Sequence, residues 1–435
     1  MHPGRLNQPG DHKMNDDSDF DIAIVGGGLV GISLACALGQ LKPTPRVALV
    51  EAHDYSSLPP PGFDSRTVAL SFSSKQIFDA LNLWPSLAEQ VAKIKTIHIS
   101  DRGHPGMTRL HAREQAVDAL GYVVESRVIG EVLFAAMREA KHITMFAPAR
   151  VTDLDVEETI ASLTLDIDYG DVDLDQGAKT ITTKLIVAAD GSDSFVRQHL
   201  NISQKEWDYK QSAVIANVAT SKPHNNIAYE RFTDSGPMAL LPLGQFEEDA
   251  NRYGLVWTVP EHNTEQVLAM DDEAFAKALA ERFGRRVGDF VRIGKRSSYP
   301  LGLTHVSEHI RHRLAFIGNA AHTLHPVAGQ GFNLGLRDVA ALVEVIKHAS
   351  DDGRDIGDLN TLREYEQWRS KDHATTMLFT DALVRVFSNN FVPLVAARNV
   401  GLMAMEMFAP LRKRLTRHAM GYIGKASMLA RGLGL

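Results

Sequence analysis

Three short stretches of this 435-residue chain place reactive or phosphate-binding residue types at meaningful spacings. The first holds Gly26, Gly28 and Gly31, a G-x-G-x-x-G set between an apolar run at 22–25 and a helical pattern. Gly26 permits a tight turn, Gly28 lets the backbone approach a pyrophosphate, and Gly31 lets the helix lie close on a sheet. The first N–H groups of that helix, with its dipole, favour anions. Glu51 closes a second apolar run, 47–50, about 20 residues later, where a carboxylate reaches the ribose of a bound dinucleotide. The second stretch is Asp190 and Gly191 at the end of an apolar strand, with Arg197 following; it suits another part of the same dinucleotide. The third runs from 313 to 346. An apolar strand ends at Gly318 and Asn319, a loop passes through Pro326 to Gly329, Gln330 and Gly331, and a helix begins. Backbone amides at such a helix start stabilise negative charge on a bound ring.

Other candidates are weaker. Arg66 and Arg127 each stand at the head of a helical pattern, where they reach a phosphate or a ring edge or are simply solvated arginines. His322 and His325 raise a metal reading, which is rejected because no neighbouring cysteine or carboxylate pattern completes a site. Cys36, the one cysteine, excludes an intrachain disulfide and lies in the apolar face of the first helix; a reducing compartment is expected.

Elements must hold these residues in place. The runs at 22–25, 47–50, 185–189 and 314–317 read as buried parallel strands. Apolar spacing predicts helices from 125 to 139, near 272–283, and after 331. The stretch 149–182 is rich in acids without the order of a metal loop, and reads as solvated hairpin edges. Residues 212–299 alternate as in SAVIANVAT and YGLVWTVP, the pattern of a mostly antiparallel sheet. Within it Phe232, Met238, Leu240 and Trp257 are candidates for a substrate cavity, although sheet cores need such residues anyway. Composition is that of a globular chain, 44% hydrophobic and 23% charged with net charge -7, which argues against nucleic-acid binding. No apolar run reaches the length of a membrane span.

Taken together, the three motif stretches resemble the flavoprotein aromatic hydroxylases, single-component FAD monooxygenases of the para-hydroxybenzoate hydroxylase fold. The string GNAAHTLHPVAGQGFNLGLRD is similar to the ubiquinone-biosynthesis branch. The resemblance covers roughly residues 20 to 390. It departs at Asn319, where the wider family carries aspartate; asparagine keeps an acceptor oxygen, so flavin binding should survive.

The resemblance implies an α/β fold: a Rossmann-like FAD-binding domain with an inserted, mostly antiparallel substrate domain. Its expected pieces are a disordered tail at 1–18 and a discontinuous FAD domain at 19–95, 121–200 and 305–390. The substrate domain would take 96–120 and 201–304, and a helical segment 391–435. Gly26, Gly28 and Gly31 would hold the pyrophosphate and Glu51 the adenosine ribose. Arg66, Arg127, Asp190 and Gly191 would contact FAD, and Asn319 its hydroxyls. Pro326, Gly329, Gln330 and Gly331 would lie against the isoalloxazine as the catalytic loop, with Phe332 and Asn333 beside it.

The implied chemistry is hydroxylation of a polyprenyl phenol. NAD(P)H reduces FAD, O2 gives a C4a-hydroperoxide, and the electron-rich ring takes its distal oxygen. The chain has no second strand-associated G-x-G-x-x-G, so NAD(P)H is expected to dock transiently. No metal is implied. Flavin halogenases are disfavoured because their Trp-x-Trp-x-Ile-Pro signature is missing. The competing class is a non-catalytic flavoprotein that scaffolds other ubiquinone-biosynthesis proteins. The basic, apolar C-terminal segment is expected to serve association, on an anionic bilayer or an acidic partner; a homodimer contact or simple docking on the FAD domain stays open. The expected location is cytoplasmic, peripheral to the inner membrane.

Overall fold

The computed structural model describes residues 18–54, 65–167, 177–247, 249–323, 330–387, 391–422 and 424–435. The expected tail before Ser18, the proline-rich turn at 55–63, the acids from Asp168 to Asp175, and Pro326 and Gly329 lie outside the described residues.

Five strands form a parallel sheet. Its order is Leu314–Phe316, Gly177–Ala188, Phe20–Val25, Val47–Val50 and Ile143–Phe146. Their continuous apolar runs follow from burial on both faces. Alternation along the first strand divides the core in two. Ile22 and Ile24 face the helices Leu29–Leu38, Ser126–Glu139 and Gln330–Asp351. Ala23 and Val25 face an antiparallel flap, Ala149–Val156 and Ala161–Ile167, which continues from the long strand 177–188. The acids Asp153, Asp155 and Asp166 sit exposed on that flap, as its hairpin reading requires.

A second sheet has nine strands. Gln204–Thr220 lies at its middle, paired antiparallel with Ser297–Val306, Arg252–Pro260 and Phe290–Ile293. Beyond Arg252–Pro260 come Gly236–Pro242 and Ile227–Thr233, then Thr96–Asp101 and Met107–His111. The two strands from 96–111 thus join a sheet otherwise made after residue 200. His322–Thr323 also joins, pairing with His305 and Thr304, so the third motif stretch crosses from one sheet to the other.

Helix Asp272–Phe283 covers one face of this sheet. Asp271 caps it by accepting the Ala274 N–H at 2.8 Å, and Asp272 and Glu273 add charge where the dipole favours acids. Phe275, Leu279 and Phe283 pack on Met238, Leu240 and Trp257. This corrects the cavity reading of those three residues. The strands are as expected, but in a period-2 element the next residue over faces the other way.

The helix Leu359–Phe387 leads to Val392–Met407 and Ala409–Ala419, which meet at a 99° bend. No single helix among the described residues is long and apolar enough to cross a membrane. The C-terminal segment is anchored to the second sheet by ion pairs. Arg398 Nε donates to Asp101 at 2.7 Å, Arg109 pairs with Glu406 at 2.7 Å, and Arg412 with Glu114 at 2.9 Å. Its last turn then returns to the helix-side core of the parallel sheet, where Leu429 and Ala430 are buried and the Met428 N–H binds Glu344 at 2.6 Å. The segment from Phe391 is therefore part of the core as well as a candidate association surface.

Candidate active site

The glycine turn shows why each glycine is needed. Gly26 has φ +103°, and a Cβ there would sit 2.5 Å from the Ala189 carbonyl oxygen. A Cβ on Gly31 would fall 1.9 Å from the Gly26 carbonyl oxygen, so only glycine lets the helix start so close to the strand. Gly28 differs: it is exposed and a Cβ there would meet nothing within 4 Å. It is also the N-cap residue of helix 29–38, with no side-chain cap on the amides that follow. That open, donor-rich space is where a pyrophosphate fits. Glu51 sits beside it. Its carboxylate accepts the N–H groups of Gly27 at 2.7 Å and His53 at 2.8 Å, and keeps lone pairs for ribose hydroxyls.

Asp190 and Arg127 border the same turn. The Gly26 site lies 2.8 Å, Cβ to Cα, from Asp190, and Gly130 on the Arg127 helix faces Leu29 at the start of the first helix. Burial pushes the Asp190 carboxyl up from its ordinary value. One of its oxygens accepts the Val196 N–H at 3.2 Å; the other is buried with no partner among the described residues. Arg127 pairs with Glu125 and Glu131, yet its Nε is likewise buried and unpartnered there. Buried polar atoms are normally satisfied, so two orphans on residues expected at the cofactor fit a polar ligand missing from the chain itself. Gly191 has φ +85°, suiting its turn.

Arg197, buried, ties the second stretch to the third. It donates to the Ala320 carbonyl at 3.1 Å and to that of Ser192. The Gly318–Asn319 turn is fixed from below by Asp338, which sequence reasoning missed. One Asp338 oxygen accepts the Gly318 N–H at 3.1 Å and His322 Nε2 at 2.8 Å. The other accepts Arg369 Nε and His373 Nε2, each at 2.7 Å. Burial opposes its ionisation, but His373, Arg369 and His322 outweigh it and hold the carboxyl well below the usual range. Burial lowers His373 from its ordinary value, against the pull of the Asp338 charge. His322, Asp338 and His373 are close enough to suggest a cation site. Arg369 already neutralises the carboxylate, so the cluster is read as a brace for the turn. The only sequence signal was Asp338 itself, an acid on the apolar face of a helix.

A cavity of 570 Å³ joins the motifs to the second sheet. Its cofactor-side wall includes Arg66, Thr67, Ser126, Asn319, Gly331 and Phe332. Its floor is a registered row across four strands and onto a fifth: Glu230 opposite Ala239, Ala239 opposite Val256, Val256 opposite Ile215, and Ile215 opposite Ser297. Gly254, one row over, lets the walls meet; a Cβ there would stand 3.1 Å from Thr67 Oγ1. Asn217 closes the same edge by donating to the Ser65 carbonyl at 2.9 Å.

Of the residues predicted for the site, Arg66, Asn319, Gly331 and Phe332 line this cavity, while Gly26, Gly28 and Gly31 form the glycine turn, Glu51 and Asp190 lie against it, and Arg127 is on the helix that packs beside Leu29. Gln330 is the first residue of its helix. The Asn333 side chain is engaged in packing rather than turned into the cavity. Its Oδ1 accepts Ser71 N–H at 2.8 Å and Ser74 Oγ at 2.7 Å, and its Nδ2 donates to the Ala69 carbonyl at 2.7 Å. It is buried and clamps helix 330–351 to the strand Thr67–Ser71, and it is not among the cavity-lining residues.

A family model described as "FAD binding domain" (FAD_binding_3) matches residues 19–377. The chain is 37% identical to "Ubiquinone hydroxylase UbiL" of Rhodospirillum rubrum, over 93% of this chain and 90% of that protein. It is 31% identical to "Ubiquinone biosynthesis monooxygenase COQ6, mitochondrial" of Danio rerio, over 94% and 91%. Its fold matches the crystal structure of p-nitrophenol 4-monooxygenase PnpA from Pseudomonas putida DLL-E4 with TM-score 0.73 at 17% identity, covering 93% of this chain and 98% of that one. The chain belongs to the FAD-dependent monooxygenase family that contains UbiL and COQ6, and it is a flavin aromatic hydroxylase.

Proposed function

We propose that this enzyme transfers one oxygen atom from O2 to the aromatic ring of a polyprenyl phenol of the 2-octaprenyl-6-methoxyphenol type, in ubiquinone biosynthesis, with NAD(P)H docking transiently as reductant. The names of UbiL and COQ6 support the pathway. The observation that carries the substrate class is the cavity. Its floor of Ala239, Val256 and Ile215 suits an apolar ring, while Asn319, Gly331 and Arg66 present polar groups on the opposite wall. FAD, when bound, supplies electron storage and oxygen activation. The chain's own part is to bind and shield it. The Gly26–Gly31 turn takes the pyrophosphate, Glu51 the ribose, and Asn319 a flavin-side hydroxyl, with Gly331 at the helix start facing the ring. The sheet floor keeps water from the reacting face.

The test is product analysis. A strain lacking the protein accumulates one prenyl phenol, and the purified enzyme converts that compound to a single hydroxylated product. A different accumulating phenol reassigns the ring position. Bound FAD without NAD(P)H oxidation on any phenol favours the scaffold reading and sinks this one.

A substrate that is mostly hydrocarbon asks for placement at a lipid surface. We infer that helices 392–407 and 409–419 rest on an anionic bilayer. Val392, Val400, Met403 and Met407 are exposed within roughly 80° of helix arc, and Phe408 and Leu411 continue the patch around the bend. Exposed Lys413, Arg414 and Arg417 supply the complementary charge. Truncation would remove core residues, so point changes are the better test. Met407→Glu with Phe408→Glu should abolish sedimentation with phosphatidylglycerol vesicles and leave turnover of a short-chain phenol intact. Wild-type protein that ignores these vesicles, or that dimerises through this face, overturns the docking.

A further inference from the structure

Glu230 is the one acidic side chain lining the cavity among the described residues. It lies in the strand Ile227–Thr233, where alternation decides its face. Tyr229 points away, stacking edge-on against Phe283, and Arg231 points the same way, donating to the Arg282 carbonyl at 3.1 Å. Ala228 and Phe232 share the face of Glu230; Ala228 packs with Ile94 and Val123, and Phe232 with Leu402. The carboxyl therefore enters an apolar floor, with Ala239 opposite it on one side and Ile99 on the other. It makes no hydrogen bond or ion pair among the described residues. The side chain is half-buried, with its carboxyl open to the cavity rather than sealed in the core, so a ligand that enters the cavity is its natural partner.

We propose that Glu230 is the catalytic base of this enzyme, receiving the proton of the substrate's phenolic hydroxyl. The proposal rests on the reading of the substrate as a phenol. In the step, the phenolic O–H bond breaks and its electron pair stays on the substrate oxygen. The proton forms an O–H bond on the Glu230 carboxylate, which becomes a neutral acid. Charge moves to the ring, which becomes a stronger donor to an electrophilic oxygen. No other reactant is consumed.

The surroundings suit this exchange. Burial pushes the Glu230 carboxyl up to about 8. An ordinary carboxylate is too weak a base for a phenol near 10, and general bases work best close to the operating pH. The other titratable groups on the cavity wall are Arg66, Lys295 and Tyr299. Burial pushes Tyr299 up to about 12, so it stays a neutral donor. Arg66 and Lys295 bring positive charge to the wall, where a phenolate would gain by it. The remaining groups beside the flavin position, Asn319 and Phe332, are uncharged.

The experiment compares wild type with Glu230→Gln and Glu230→Asp, each loaded with FAD, using a 2-methoxyphenol that carries a short prenyl chain. In wild type kcat/KM should rise with pH to a plateau, with a midpoint near 8. Glu230→Gln should lose about 100-fold or more in kcat/KM and lose that limb, with FAD affinity unchanged. Glu230→Asp should restore part of the rate with the limb retained. A second measurement needs no turnover: in infrared difference spectra of the FAD-loaded protein, a carboxyl band should ionise with a midpoint near 8 in wild type and be absent from Glu230→Gln. Turnover of Glu230→Gln within threefold of wild type, with the same pH limb, overturns the proposal. If wild type hydroxylates no phenol, the functional reading fails instead. The infrared titration then decides the role of Glu230, and a carboxyl that ionises in the ordinary glutamate range in wild type overturns it.

Discussion

Two acids, one on each side of the cavity, are treated in opposite ways: Asp338 is fully buried, while Glu230 is half-buried and faces the cavity. Asp338, under the cofactor-side wall, accepts four hydrogen bonds and sits against Arg369, so its charge is fully compensated. Glu230, on the sheet floor, has no such partner among the described residues, and burial raises its carboxyl to about 8. The first arrangement fixes a turn that must not move. The second leaves a group whose proton is free to be exchanged. The compensated acid braces the Gly318–Asn319 turn, and the uncompensated one faces the cavity.

The largest effect should come from Asp338→Ala. It leaves the buried Arg369 and Arg337 to share Asp372 and strips the acceptor from Gly318, His322 and His373, which costs roughly 3–5 kcal/mol, measurable by urea denaturation of the apoprotein. Asp338 also sets a pH dependence. A carboxyl held low in the folded state adds stability that is present above its unfolded value and lost as pH falls through the folded one. Wild type should therefore lose more stability than the variant under strongly acid conditions. An Asp338→Ala protein as stable as wild type would erase the contrast.

The next test separates two glycines of one motif. Gly31→Ala places a Cβ 1.9 Å from a backbone oxygen and should damage folding itself. Gly28→Val meets no protein atom within 4 Å on its first carbon, so the protein should fold and lose FAD affinity by about 100-fold, or ~2.7 kcal/mol. Full FAD occupancy in Gly28→Val, judged by flavin fluorescence, would move the pyrophosphate elsewhere.

Two asparagines sharpen the comparison further. Asn333→Ala should cost about 1–3 kcal/mol of stability, because it strands buried partners at Ser71 and Ala69. Asn319 is exposed to the cavity, so Asn319→Leu should spare stability and lose about 1–3 kcal/mol of FAD affinity, while Asn319→Asp keeps both. Denaturation and apoprotein titration read the two quantities separately, and identical behaviour of the two asparagines would show that the assignment of roles is mistaken.

These asparagines also mark what was legible in the sequence. Gly26, Gly28 and Gly31 could be read because local sterics alone demand glycine there, and the helix 272–283 because its cap and apolar spacing are local. Asn319 and Asn333 look alike in a string; one lines the cavity and the other clamps a strand 262 positions away. Only tertiary contact separates them. The floor of the cavity was hidden for a related reason. Trp257 and Met238 drew attention by size, yet they face the helix, and the functional face is made of Ala239, Val256 and Glu230. Which face is which depends on register across several strands and on what covers each side, and neither is encoded in any one strand.

The remaining expected effect is a gain. Glu230 is raised in the folded state, so native protein holds more protons than unfolded protein between the ordinary glutamate value and about 8. Its presence makes stability fall as pH rises through that window. Glu230→Gln should remove the fall: Tm should match wild type near pH 4, exceed it by a few degrees at pH 8, and differ no further above. Equal Tm at pH 8 would mean that the carboxyl is not held in an apolar setting.

The most direct measurement of the central claim uses isotopic oxygen. Purified enzyme with FAD, NAD(P)H and a short-chain 2-prenyl-6-methoxyphenol is allowed to turn over under 18O2, and the product is analysed by mass spectrometry. One 18O atom on the aromatic ring, with none from labelled water, is the predicted result. Oxidation of NAD(P)H to NAD(P)+ with all the O2 consumed appearing as hydrogen peroxide, and the phenol recovered unchanged, would contradict it.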